Sequence, residues 1–528
     1  MANKTLFQSI AGKLLPKANA TNEAGGQAYK LEPKQALAQY AATGCINSTY
    51  YASAQVQMQS ILKLANQVEP EFVARTALYA RQVGFMKDLP ALLTAQLSVQ
   101  SSGLMAEVFD RVIDSPKMLR NFVQIMRSGA VGRKSLGSLP KRMIVQWIEN
   151  RSDEQLFFGS VGNDPSLADI IKMVHPKPAN AQREALFGYL IGRPHDVNAL
   201  PEIVKQYEAY KQAADRRDVE TPDVPFQMLT ALDLADWEWL AIARNASWQM
   251  TRMNLNTFER HGVFKDRQLV RMIVERLRDP LLIGKARVFP YQLMAAYMNA
   301  SEKLDHTITD ALQDAMEIAV ANVPAISGKV FVFPDISGSM HSPITGHRRG
   351  STTAMRCVDV AGLIAASILR KNSDAHVLPF ESDVVASRKA KLNPRDSIMT
   401  NAQKLASLPA GGTNCSAPLA YINSSKATGD LIIYVSDNES WIDSPNYGWC
   451  GGGATETLKQ WSIFKKRNPQ AKMVCINLQP YVTSQVVERD DIINVAGFSD
   501  QVFSLIAAVA DGKARADHWV DQIQAMTI

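Results

Sequence analysis

The chain is poor in cysteine. Five are scattered through 528 residues (Cys45, Cys357, Cys415, Cys450 and Cys475), an odd number with no CxxC pair. That argues against a disulfide framework and against a structural zinc site, and it favours a reducing compartment. Long apolar runs are missing too. No stretch reaches ~18 uninterrupted apolar residues, so no membrane span is expected. The opening MANKTLFQSIAGKLLPK has no apolar core long enough for a signal peptide. Neither sign of charge dominates: 57 Lys and Arg against 51 Asp and Glu leave a net +6, which permits an anionic partner without requiring one. A soluble, cytoplasmic protein with no membrane partner is expected. At 46% hydrophobic and 20% charged residues, the chain can bury sizeable cores, and its length calls for two or three domains.

What is present divides into two textures. From Lys34 to about Val323 the apolar spacing is helical nearly throughout, as in Ser53 to Gln67, Phe72 to Val83, Leu92 to Ser98, Met105 to Ile113 and Met143 to Ile148. Pro70, Pro90, Pro116, Gly129 and Pro140 punctuate these segments. Paired amphipathic helices in a long run suggest a HEAT-like α-solenoid, although no repeat unit is regular enough to assign a period. An irregular helical domain fits the same pattern.

After Asn322, VPAISGK resembles a linker and the texture changes. KVFVFPD, DAHVLPF, DLIIYVSD and KMVCINL are four short apolar strands. Thr352 to Lys371, SIMTNAQKLASL and TLKQWSIFKKR are the helices between them. Alternation at this spacing predicts an α/β doubly wound parallel sheet, whose ligands bind beyond the C-terminal strand ends.

One such end carries Asp335-Ile336-Ser337-Gly338-Ser339-Met340. Asp335, Ser337 and Ser339 alternate short oxygen side chains, and Gly338 is expected to permit a tight backbone path. Two later strand-end loops supply Thr413, in LPAGGTNCS, and Asp437, in IIYVSDNES. The order DxSxS, Thr, Asp resembles the metal-ion-dependent adhesion site of von Willebrand factor A domains. That resemblance implies a divalent metal, Mg²⁺ in the first instance, with the serines and Thr413 on the cation and the aspartates acting through water. Mn²⁺ accepts the same oxygen ligands. An external acidic group would complete the shell. A hydrolytic alternative, with Asp335 or Ser337 as nucleophile, lacks a GxSxG elbow and any base placed beside either residue; His341 is only near in sequence. No catalytic residue is assigned and no enzyme is expected.

A wider resemblance covers nearly the whole chain. Asn22 to Ser53, including Thr49-Tyr50-Tyr51, is similar to the opening of the Ro autoantigen family, a TROVE module followed by a von Willebrand factor A domain. ARVFPYQLMAAY (Ala286 to Tyr297), LPAGGTNCSAPLAYI and YVSDNESW resemble later segments of that family. The resemblance implies an N-terminal segment 1–25, a TROVE helical-repeat ring over 26–323 and an A domain over 324–528. It implies a monomeric bacterial or phage protein that binds Y-like noncoding RNA and the single-stranded 3′ ends of misfolded RNA. A 3′-to-5′ exoribonuclease is the implied partner in RNA quality control or decay. The alternative from a different class is a metal-dependent docking or adhesion module that handles no RNA.

Between Asp114 and Glu149 lie Lys117, Arg120, Arg127, Arg133, Lys134, Lys141 and Arg142, with no acidic residue among them. Clustered on one face, they would attract phosphates without reading sequence. A solvated basic face is what composition alone suggests, and the family resemblance favours RNA. By pattern, MVHPKP matches a family segment whose His contacts RNA, which points to His175 flanked by Lys172 and Lys177; a capping or packing role for His175 fits equally well. A third group, Arg244, Arg252 and Arg260, is spaced to share one helical stripe, with Trp248 available to stack on a base or to fill the core.

Overall fold

The computed structural model describes residues 15–528 except 44–45, 163–164, 287, 289, 321–322, 324, 347–354, 443–452, 480, 498–500 and 513–516. Cys45, Cys450, most of the N-terminal segment, and parts of the VPAISGK linker and of ARVFPYQLMAAY lie outside the described residues. The chain forms two compact units that do not follow sequence order. One comprises 58–245, 261–263 and 522–528; the other comprises 1–57, 246–260 and 264–521.

The first unit is helical. Its logic is visible in the helix Pro116–Ser128. Ser115 caps it by accepting from the Met118 N–H, Pro116 occupies the first turn, and Gly129 ends it at φ 86°. Met118, Leu119, Phe122, Val123 and Met126 form its buried face. Phe122 meets Phe109 edge to face, ring centroids 5.1 Å apart, an arrangement that aromatic quadrupoles favour. The helix Leu167–Val174 packs against it. Ser166 and Asp169 form a capping box at its start. The prolines of the sequence begin helices more often than they interrupt them: Pro70 and Pro116 both lie in first turns. The chain's last residues also belong to this unit, since Arg75 donates to the Met526 carbonyl at 2.9 Å and Arg111 to that of Thr527 at 2.7 Å.

The second unit holds the sheet. Strands β3 (Val330–Pro334), β4 (His376–Val377), β5 (Leu431–Ser436), β6 (Lys472–Asn477) and β8 (Ile492–Ala496) run in the order β4-β3-β5-β6-β8, all parallel. This is the expected doubly wound α/β sheet with one strand more than the sequence suggested. Every residue of β3 and β5 is buried, as a strand covered on both faces requires. Helices Cys357–Lys371, Ile398–Ala406 and Glu456–Arg467 flank it. A smaller antiparallel sheet joins β1 (Ala20–Thr21), β2 (Gln27–Lys30) and β7 (Thr483–Ser484). Tyr29 of β2 is buried in the same core as Phe333, Tyr434 and Trp461, and its hydroxyl accepts from the Thr455 N–H. Residues near the N-terminus are thus part of the sheet-bearing unit. Among the described residues, no helix is long and apolar enough to cross a membrane.

Candidate metal centre and basic surface

The β3 strand end delivers the first of the three loops expected to hold a metal. The Asp335 N–H pairs with Val435 at 2.9 Å and the Ile336 N–H with Phe380 at 2.9 Å, which fixes the loop's departure from the sheet. The Ser337 N–H donates to Asp335 Oδ1 at 2.8 Å, and the Ser436 hydroxyl donates to Asp335 Oδ2 at 2.5 Å. Ser337 Oγ and Ser339 Oγ are 3.3 Å apart. The second loop is tied to the first by the Gly338 N–H on the Gly411 carbonyl, 2.9 Å, and to the third by the Trp441 N–H on the Thr413 carbonyl, 2.9 Å. In the third loop the Glu439 N–H donates to Asp437 Oδ1 at 3.2 Å, and the Ser339 hydroxyl donates to the Asp437 carboxylate. All five residues named from the sequence are buried, on three loops held together at the C-terminal strand ends.

Gly338 does not do what the sequence suggested. Its φ is −60°, and a Cβ there would meet only the Gly411 carbonyl oxygen at an ordinary 3.5 Å. The tight position is Gly411, where a Cβ would collide with the Glu381 carboxylate.

The electrostatics fit a hard cation. Burial, then the facing Asp437, pushes the Asp335 carboxyl up from its usual range, and burial does the same to Asp437. No described Lys or Arg forms an ion pair with either. Two buried carboxylates, three hydroxyls and no compensating charge make an all-oxygen donor set suited to Mg²⁺ or Mn²⁺. Among the described residues, no three His, Cys, Asp or Glu side chains gather at a metal's distance, so the hydroxyls are indispensable to this donor set. His341 pairs through Nδ1 with Arg356 Nη1 at 3.0 Å, and burial, then Arg356, lowers its pKa.

Three residues of this centre escaped the sequence. Ser436 holds Asp335. Glu439 is fully buried, with Oε2 accepting from the Glu23 and Ala24 N–H groups at 2.7 and 3.3 Å. Tyr51 sets its hydroxyl against the side chains of Ser339 and Trp441 and beside Asp437. A buried acid two residues after a metal aspartate is the one signal that could have flagged Glu439.

In the helical unit, the cations fall into two groups. Lys117, Arg127, Lys134, Lys141, Arg142, Lys172 and Lys177 are exposed, and none forms an ion pair with a described residue. Arg127 and Lys172 border an open cleft of about 780 Å³ together with Gln124, Ser128, Asp169 and Met173. Arg120 and Arg133 are half-buried. A Cβ at Gly162 would collide with the Arg120 guanidinium and one at Gly137 with that of Arg133, and Arg133 also donates to the Ser98 carbonyl at 3.3 Å. Burial lowers the pKa of Arg120.

His175 caps its helix in the left-handed region, φ 52°, with its ring exposed. It therefore caps with its backbone and leaves the imidazole to solvent. The proposed arginine stripe is broken. Arg244 ends the helix Asp236–Asn245, while Arg252 and Arg260 lie on Trp248–Arg260. The cause is Ser247, whose hydroxyl accepts from the Met250 N–H at 3.3 Å and starts a new helix. Arg252 donates to the Gln292 carbonyl at 2.9 Å and is largely buried, which lowers its pKa. Trp248 is a core residue that donates to the Leu277 carbonyl.

With this geometry in view, residues 329–510 match the family model of the Ro60 von Willebrand factor A domain. The chain is 24% identical over 537 aligned positions to the RNA-binding protein RO60 of Deinococcus radiodurans, covering 94% of this chain and 96% of that protein. That similarity extends along nearly the whole of both chains. The crystal structure of the Deinococcus radiodurans Ro protein superposes with a TM-score of 0.63 at 20% identity, covering 92% of this chain and all of that one; that likeness concerns the fold, a helical region followed by the A domain. An RNA-binding protein RO60 from Caenorhabditis elegans is 21% identical over 262 positions, 47% of this chain and 38% of that protein.

Proposed function

We propose that this chain is a noncatalytic RNA-binding protein of the Ro type. The observation that carries the proposal is the full-length similarity to a protein named for RNA binding, on a helical unit in which Lys117, Arg127, Lys134, Lys141, Arg142, Lys172 and Lys177 are exposed and make no ion pair with described residues. Unpaired cations beside an open cleft attract phosphates through counterion release, without reading base sequence. The ligands we propose are a structured Y-like RNA and the single-stranded 3′ ends of misfolded RNA, with a 3′-to-5′ exoribonuclease as the protein partner in quality control or decay. We further propose that Asp335, Ser337, Ser339, Thr413 and Asp437 hold Mg²⁺. Bound there, the cation would present a Lewis-acidic position to an external acidic group. The residues themselves neutralise, orient and dehydrate that position.

The test begins with protein purified from its host. Its absorbance ratio at 260 and 280 nm should report nucleic acid, and sequencing should identify a small structured RNA. Purified protein should then bind a hairpin with a single-stranded 3′ tail in a strongly salt-dependent manner. Protein that arrives free of RNA and has no affinity for such a hairpin would defeat the reading and leave a metal-dependent docking module in its place.

A further inference from the structure

The metal loops are overlaid by the chain's own N-terminal residues. Asn22 Nδ2 donates to the Ser440 carbonyl at 2.9 Å, and its Oδ1 accepts from the Gly26 N–H at 2.7 Å. Gly26 runs so close to Ser440 that a Cβ would strike the Ser440 carbonyl oxygen. The Glu23 and Ala24 N–H groups both donate to Glu439 Oε2. These contacts clamp the loop that carries Asp437. A second segment reaches the opposite rim. Asn47 donates to the Thr345 carbonyl at 2.7 Å, downstream of the first metal loop, and the Thr49 N–H closes a turn on Ala52 at 2.8 Å. That turn presents Tyr51. Its ring lies edge-on to Tyr481 at 5.9 Å and to Tyr50 at 4.7 Å. Its hydroxyl meets Ser339, one of the two serines of the metal set, and the indole of Trp441, whose backbone is bonded to Thr413.

We propose that Tyr51 is a residue of the metal site: its hydroxyl stands on the approach to the cation beside Ser339, so an external carboxylate reaches the metal only by displacing it. The proposal rests on the metal reading above. The phenol is held from three directions, by the edge contacts with Tyr50 and Tyr481, by the Trp441 indole and by Ser339. It therefore sits as a fixed neutral group where the donor set is incomplete. A small oxyanion competes with one hydrogen-bonded hydroxyl. A side chain on a bulky partner must also move the Thr49–Ala52 turn. The site thereby favours ligands that bring enough contact of their own to open it, which is a specificity device built from the N-terminal segment.

The experiment uses the full chain and Mn²⁺ as the probe, read by water-proton relaxation, with acetate as the carboxylate. Wild type, Tyr51→Phe and Tyr51→Ala are compared. Removing the cap should admit water to the cation, so Tyr51→Ala roughly doubles the relaxation enhancement of bound Mn²⁺. Acetate should suppress that enhancement at about tenfold lower concentration than in wild type. Tyr51→Phe keeps the ring contacts and loses only the hydroxyl, so it should shift both readings the same way by less. If Tyr51→Ala does not fold, the phenylalanine variant carries the comparison. Bound Mn²⁺ with identical enhancement and acetate response in wild type and Tyr51→Phe overturns the cap while sparing the metal site. Failure of every form to bind Mn²⁺ overturns the metal reading and the cap with it.

Discussion

The double substitution Arg127→Ala with Lys172→Ala tests the basic surface directly. Both side chains are exposed on the rim of the same cleft. Asp169 lies between them, its carboxyl held below the usual range by the Ser166 hydrogen bonds and, more weakly, by Lys172 and Arg127. Each cation that meets a phosphate on a single strand contributes about 0.7 to the slope of log affinity against log salt, so losing two should flatten the slope by ~1.4. From roughly 50 to 200 mM salt, the wild-type advantage would then shrink about sevenfold. Fluorescence anisotropy with a labelled tailed hairpin at four salt concentrations gives the slope. Lys205→Ala serves as the control, because Lys205 lines a cleft with Glu202, Glu220 and Asp223 and should leave the slope unchanged. Neither substituted side chain is buried, so the melting temperature should hardly move. An unchanged slope in the double variant, or an equal loss in the control, would refute phosphate contact at this cleft.

Asp335→Asn with Ser337→Ala should abolish stabilisation by Mg²⁺, which for a saturated site amounts to about 2.7 kcal/mol at 100 times Kd; in chelator the same variant should melt no lower than wild type, since one of two facing buried acids is gone, and melting curves with and without metal decide it. His175→Gly relieves a left-handed non-glycine residue and should raise helical-unit stability by up to ~1 kcal/mol while weakening RNA binding; unchanged RNA affinity would leave the ring without a role in RNA binding. Glu488 is half-buried, and burial raises its pKa to about 7. A carboxyl raised on folding contributes stability that is complete below its unfolded value and lost as pH rises through about 7. Glu488→Gln should therefore gain on wild type between pH ~5 and ~8 by about 2 kcal/mol, discounted for its partial exposure, and urea unfolding at the two pH values would show no such gain if the acid ionises freely. A fragment of residues 324–528 should fail to melt cooperatively, because it lacks Tyr29 from its core and the N–H donors of Glu439; a sharp transition with intact Mn²⁺ affinity would contradict this.

The five residues that meet on the three loops were legible as a set because local signals announced them. Asp335 follows five buried strand residues, Asp437 follows six, and Thr413 lies within a loop containing Gly411 and Gly412. The helices were legible for the same reason, since periodicity and caps act within a few residues. Strand β8 was missed because Ile492–Ala496 is short and follows the charged run Glu488 to Asp491. β1 was missed because it is only two residues long, and β2 and β7 because their pairing is non-local: β2 pairs with Thr483 and Ser484, and no pattern within Gln27–Lys30 could name that partner. The arginine stripe failed for a different reason. Spacing of eight is consistent with one helix only if the helix continues, and Ser247 competes with the helix for a backbone donor.

The change of texture near residue 323 marks a change of secondary structure, not the edge of a site. Texture follows hydrophobic period, which is local, whereas a buried polar group must find partners wherever the chain can bring them. Glu439 finds its donors at Glu23 and Ala24, and Ser440 is met by Asn22 across a separation of 418 residues. The chain that supplies those partners continues to Tyr51, whose hydroxyl meets Ser339. The requirement is energetic: a buried carboxylate without donors costs several kcal/mol, so the N-terminal segment and the metal loops must fold as one. A chain built this way cannot complete the proposed metal site before residues 22–51 are in place, which couples the site's accessibility to the packing of a segment that carries none of the five proposed ligands.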